Sequence, residues 1–188
     1  MKNIPCWQLA GFVFTSVLGT FLHFLFDLTG GSVAAALVSA VNESIWEHMK
    51  LLYYPMLAFA FLEYRTWGRQ RRDFWWVKLL GTALGLLLVP VLYYTYSGIL
   101  GIHVDWVNIT IFFLAAMAAY RVETALFARE RAKHISGSLA LGLLLAMAAV
   151  FTMLTFFPPE VPFFRDPVTG TYGFLRENAG NKNRVMIQ

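Results

Sequence analysis

Long apolar runs alternate with short polar interruptions along this chain. Five runs approach or exceed the roughly 20 residues that cross the hydrocarbon core of a bilayer. They predict helices near residues 7–28, 44–64, 74–96, 105–126 and 138–157. Pro55 and Pro90 fall inside the second and third runs. In a membrane helix, neighbouring groups satisfy the carbonyls that proline frees, so kinks are expected there and not breaks. Between the first two runs lies "TGGSVAAALVSAV", residues 29–41, apolar but too short to cross. Fused to the second run it would make a helix of about 50 Å, longer than the bilayer is thick. Asn42 is a favoured N-cap and Glu43 suits a first helical turn. Residues 32–40 are therefore expected as a separate short interfacial or re-entrant helix. The fold class is all-α: a polytopic membrane protein of five transmembrane helices plus that short one.

Composition agrees with the pattern. Hydrophobic residues make up 58% of the 188 and charged residues 14%, against roughly 25% charged in a soluble domain. Mean hydropathy is +0.57. The single cysteine, Cys6, excludes an internal disulfide and a cysteine-based metal site. The first run is longer than a signal-peptide core and no small-residue cleavage site follows it, so it is expected to stay as a span.

Charge fixes the expected orientation. Short loops on one side would hold Lys2, Arg65, Arg69, Arg71, Arg72, Lys78, Arg129, Arg131 and Lys133; those on the other hold Lys50 alone. By the positive-inside rule the first side faces the cytoplasm. The protein is then expected in the bacterial cytoplasmic membrane, N-terminus inside and C-terminus outside. The basic stretch "RTWGRQRRDFWWVK" needs no nucleic acid; it serves as a cytoplasmic anchor. Arg121 in the fourth run is expected to snorkel or to pair with Glu63, and His134 to be an ordinary loop residue.

That topology gathers titratable groups at the outer face. On the first helix Ser16, Gly19, Thr20, His23 and Asp27 share an arc of about 100°, with His23 and Asp27 at i,i+4 spacing. On the second, Glu43, Glu47, Lys50 and Tyr54 share about 60°, and Ser44 and His48 lie beside them. Such stripes should face protein or a water-filled cavity, because an unpaired charge against hydrocarbon is costly. His, Asp and Glu at these spacings suit a divalent metal, zinc above others, with a carboxylate as base on its bound water. His23, Asp27, His48 and His103 are the candidate ligands, and Glu43 or Glu47 the base. "SIWEH" ends like the H-x-x-E-H metalloprotease motif but begins with Ser44, so that motif is absent. Ser44 is instead a candidate nucleophile beside a histidine. Asn42, Lys50, Asp105, Arg165 and Asp166 complete the outer set. A plainer reading keeps Glu47 and Lys50 as an intrahelical pair and His23 as a core histidine bonded to Asp27.

The small residues of "SGSLALGLLLAMAA" in the fifth run suit close helix contacts, within the bundle or in a homo-oligomer. After residues 1–157, the membrane domain, the Pro- and Phe-rich segment 158–175 is too apolar for free solvation and should fold back across the outer face, with "DPVTG" as a turn. Residues 176–188 have the composition of a flexible tail.

"VNESIWEHMKLLYYPM", the "AAYR" of the fourth run and "FFPPEVPFFRDPVTGTYG" together resemble a family of small multi-pass membrane proteins of Gram-positive, mostly clostridial-type bacteria, of unknown function. The resemblance spans roughly residues 10–175 and implies no activity. The residues themselves point to a metal-assisted hydrolase or transferase acting on a lipid or lipid-linked substrate. The alternatives are a non-catalytic cation or small-molecule binding or transport protein, and a structural membrane subunit.

Overall fold

The computed structural model describes residues 3–102, 104–129 and 136–174. His103, His134 and the 176–188 tail, each singled out above, lie outside the described residues. The order of elements is α1 (Ile4–Leu28), α2 (Val33–Ala36), α3 (Ile45–Thr66), α4 (Phe74–Leu100), α5 (Asp105–Ala128) and α6 (Gly137–Phe156), with single 3-10 turns at Gly68–Gln70 and Pro162–Phe164. The described residues contain no strand, only an isolated bridge between Arg165 and Tyr172. Helices α1, α4, α5 and α6 are long and apolar enough to cross a membrane. Helix α3 has the length, at 22 residues, but is more polar. It carries Glu47, His48 and Lys50 in its first turns and Glu63 and Arg65 near its end. The expected count of five thus stands at four by composition.

Two further boundaries differ from expectation. The short helix is one turn, 33–36, and not nine residues. Ala35 O still accepts the Ser39 N–H at 2.9 Å, joined by the Ser39 hydroxyl at 2.7 Å, while the Ala36 carbonyl accepts from Lys50 Nζ at 2.9 Å. Helix α3 starts at Ile45, so its cap is Ser44 and not Asn42. Ser44 Oγ accepts from the Glu47 N–H at 3.4 Å, while Asn42 Oδ1 accepts from the Ser44 N–H at 3.0 Å and shapes the approach. Helices α3 and α4 both run unbroken through their prolines.

The chain divides into two units, residues 1–18 with 52–145 and residues 19–51 with 146–188. In the first unit, Gly85 and Ala119 bring α4 and α5 together. A methyl on Gly85 would stand 3.3 Å from Ala119 Cβ and 3.5 Å from the Ala115 carbonyl, so small residues set the separation. Gly101, in the left-handed region at φ 67°, ends α4. At the other end of these helices the core turns ionic. Lys78 of α4 pairs with Glu63 of α3 and, at 2.5 Å, with Glu123 of α5; Gln8 of α1 donates to Glu63 Oε1 at 2.8 Å. All four side chains are buried. This corrects two expectations. Lys78 is not a loop cation, and the partner of Glu63 is Lys78 and not Arg121, which is exposed. A methyl on Gly81 would collide with Glu123, so glycine is what admits that carboxylate between α4 and α5.

The second unit has its own apolar core: Phe26, Ala35, Ala36, Val41 and Phe174, flanked by Leu25 and Phe156. Residues 158–174 belong to it. Phe174 meets Phe26 and Phe156 edge-on, and Phe163 and Phe164 close around Trp46. Gly173 makes this return possible. Its φ is +56°, and a Cβ there would sit 2.5 Å from the Thr155 carbonyl. Gly173→Ala should therefore cost at least about 1–2 kcal/mol from the left-handed backbone alone, before any clash. It should lower the melting temperature and speed protease cleavage within 158–174. Gly142→Ala, in helix α6 with open space around it, should be neutral or slightly stabilising; equal melting temperatures for the two variants would refute the assignment.

Candidate metal centre

Three of the outer residues converge in the second unit. His23 comes from α1, Glu43 from the loop before α3, and His48 from the first turn of α3. His48 Nε2 lies 3.4 Å from Glu43 Oε2, and His23 Nε2 lies 3.9 Å from Glu43 Oε1. One ligand atom from each residue falls within 4.8 Å of the others. Tetrahedral zinc with bonds of about 2.0–2.2 Å holds its ligand atoms about 3.3–3.6 Å apart, so the trio is within a small adjustment of ligation. The side chains are neither sealed nor free: His23 and His48 are about a third exposed, and Glu43 about half.

The ring of His48 is oriented by the backbone. His48 Nδ1 lies 2.9 Å from the Ser44 carbonyl. A carbonyl only accepts, so Nδ1 carries a hydrogen, and Nε2, facing the Glu43 carboxylate, is the ring atom left for a metal. Bonding one ring nitrogen to a backbone carbonyl is the usual way a metal-binding histidine is oriented. His23 lacks this support: its Nδ1 has no hydrogen-bond partner among the described residues. Asp27, one turn further along α1 and exposed, acts on the His23 ring electrostatically. It is not itself one of the converging trio.

The loop bearing Glu43 is held from two sides. Its own N–H donates to Asp166 Oδ2 at 3.4 Å. Asp166 is buried, and its Oδ1 accepts from the N–H groups of Val168 and Thr169 at 2.7 and 3.1 Å. That is the "DPVTG" turn, closed by the Asp166 side chain and docked on the metal-site loop. Arg165 beside it is exposed.

On the other side stands a buried ion pair. Glu47 Oε2 and Lys50 Nζ are 2.6 Å apart, and both residues are essentially without solvent contact. Glu47 also accepts from the Val41 N–H at 3.1 Å and from Thr155 Oγ1 at 2.9 Å; Lys50 also donates to Ala36 O and to Thr155 Oγ1, each at 2.9 Å. Two charges thus tie the α2 turn, the 41–44 loop, α3 and α6 together.

The sequence candidates are accordingly redistributed. His23 and His48 come together with Glu43, read above as a base, in a group that could hold a metal ion. Glu47 and Lys50 form a structural clamp, the plainer of the two readings given above. Ser44 is 1% exposed and committed to the helix cap, a poor place for a nucleophile. Asn42 is buried and shapes the loop. Asp105 is the exposed first residue of α5, in the first unit. Thr155 was missed, because a threonine in an apolar helix carries no signal of its ionic partners. The Glu63–Lys78–Glu123 cluster was missed because its members are far apart in sequence.

If the clamp holds the loop, breaking one half should be far worse than removing both. Lys50→Met leaves Glu47 as a buried unpaired charge and should cost about 3–5 kcal/mol, whereas Lys50→Met combined with Glu47→Gln should recover most of that loss. Thermal unfolding of the wild type and these two variants in detergent checks this. A double variant no more stable than Lys50→Met alone would contradict it.

No curated protein and no solved structure matches the chain. One family model does, across residues 1–174 and therefore across both units and every residue of the site. The chain belongs to a protein family of unknown function, DUF6512.

Proposed function

We propose that the protein is a multi-pass membrane metalloprotein that binds one divalent metal, zinc above others, through His23, Glu43 and His48. The observation that carries this is the convergence of two imidazoles and one carboxylate, one imidazole already held through its other ring nitrogen by a backbone carbonyl. Two histidines and a glutamate with a fourth, open position is a ligand set of catalytic zinc. A zinc ion held by these three residues would itself supply an activated water, so no separate base would be required. This removes the need for Glu47 in that role. Asp27 then orients His23 through the otherwise unpartnered Nδ1.

The reaction class that follows is metal-assisted hydrolysis or transfer. The substrate is a lipid or lipid-linked molecule, since the flanking surface is apolar. The Phe24 ring stands edge-on to His23 at 4.9 Å, and Phe21, Phe24 and Leu28 are exposed. Non-catalytic cation binding or transport is the second reading, supported by the same three ligands.

Helix α3 is the fifth span in this proposal. Its polarity is internal: Glu47, Lys50 and Glu63 are buried and paired, so it does not present those charges to lipid. The loop at residues 67–73 faces the cytoplasm and residues 158–174 face outward. With Cys6 replaced by Ser, a single cysteine at position 168 should react with an impermeant maleimide on intact cells, and one at position 69 only after lysis. The reverse pattern would invert the topology, and equal labelling of the two would eliminate it.

Purified protein should hold stoichiometric zinc. His23→Ala, His48→Ala and Glu43→Gln should each lose it with little change in melting temperature of the apo form. Asp27→Asn should weaken binding by about 10–100-fold. Absence of metal after incubation with zinc would end the metalloprotein reading. Stoichiometric zinc without hydrolysis of phospholipid or lipid-linked probes would leave the binding reading in its place.

A further inference from the structure

The ionic core of the first unit does not balance. Lys78 is the one cation that contacts it among the described residues, and it faces two carboxylates. Glu63, Glu123 and Lys78 are 0%, 0% and 2% exposed. With all three ionised, the cluster would bury a net negative charge, which is costly in an apolar interior. The groups facing it are known from every packed element. Helix α1 offers Gln8 and Thr15, and α3 offers Glu63. Helix α4 offers Lys78, and α5 offers Glu123 and Tyr120, whose hydroxyl is 2.8 Å from Thr15 Oγ1. Around the ammonium lie the rings of Phe74, Tyr120 and Phe127. Arg71, on the adjoining loop, is committed to Asp73 and to the Phe127 carbonyl. None of these supplies a second positive charge.

The hydrogen bonds are short of a donor as well. Glu123 Oε1 and Gln8 Oε1 are both buried without a hydrogen-bond partner. Gln8 is 2% exposed and already donates its amide hydrogen to Glu63, so its remaining atom is an acceptor waiting for a hydrogen. Charge and hydrogen bonding are thus deficient by the same thing.

We propose that Gln8, Glu63, Lys78 and Glu123 form a proton-binding site in which the two carboxylates share one proton across the lysine. Two carboxylates that cannot both ionise behave as one titrating unit. The site stands near the ends of its helices: Gln8 is in the second turn of α1, Lys78 in the second turn of α4, and Glu63 in the last turn of α3. The proton therefore has a short route to one membrane face. This site is independent of the proposed metal.

Infrared difference spectroscopy on the purified full-length protein tests the proposal. At neutral pH the wild type should show the carbonyl stretch of a single protonated carboxylic acid assignable to the cluster. Glu63→Gln should abolish it, and so should Glu123→Gln, because either variant leaves one carboxylate neutralised by one lysine. Lys78→Met should about double it, since both carboxylates then need protons. Loss of the band in both isosteric Gln variants is the signature of a shared proton. No band in the wild type, including a band absent because sodium supplies the charge, overturns the proposal. So does a band that survives in Glu63→Gln and disappears only in Glu123→Gln. Should Lys78→Met fail to fold, the two Gln variants still decide.

Discussion

The Glu47–Lys50 pair is the constraint on which the second unit rests. A carboxylate and an ammonium one turn apart on α3 are withdrawn from solvent. Withdrawal is costly unless every remaining donor and acceptor is met. The structure meets them with the α2 turn, the Val41 N–H and Thr155 of α6. Those bonds join the pair to the α2 turn, to the stretch before α3 and to helix α6, so Glu43 sits between anchored segments.

The His23–Glu43–His48 trio depends on this arrangement. Glu43 is four residues before Glu47 and His48 is one after it, so the clamp carries one member of the trio on each side. Asp166 reaches the same loop from the C-terminal segment. The loop is held rigidly by buried charge while its Glu43 side chain stays half-exposed. A binding site benefits from that division: geometry set by the interior, chemistry left at the surface.

Much of this was legible in the sequence, and the failures have physical causes. Apolar run length placed every long helix to within a few residues except at α4, which runs past Tyr96 to Leu100 because nothing before Gly101 stops it. Helical spacing singled out His23 and His48 because i,i+4 periodicity is local, whereas Glu43, read into the stripe of the second helix, lies in the loop before α3 begins. It assigned Glu47 to the site because period alone does not tell which way a turn of helix is buried. The cap was misplaced by two residues because Asn42 and Ser44 are equally good caps, and only the Ser44–Glu47 bond separates them. Partners distant in the chain were invisible: Lys78 for Glu63, Thr155 for Glu47, Asp166 for the Glu43 loop.

Cations in this protein divide by type. The two described lysines, Lys50 and Lys78, are both buried in ion pairs, one in each unit. The described arginines line the surface, with Arg71 alone half-buried. The exposed cations among the described residues are therefore guanidinium groups, which do not lose their charge. The two described ammonium groups are hidden from solvent in the folded state. An amine-directed reagent reaches Lys50 only when the second unit opens and Lys78 only when the first does. The chain thus contains a separate native reporter for the opening of each half.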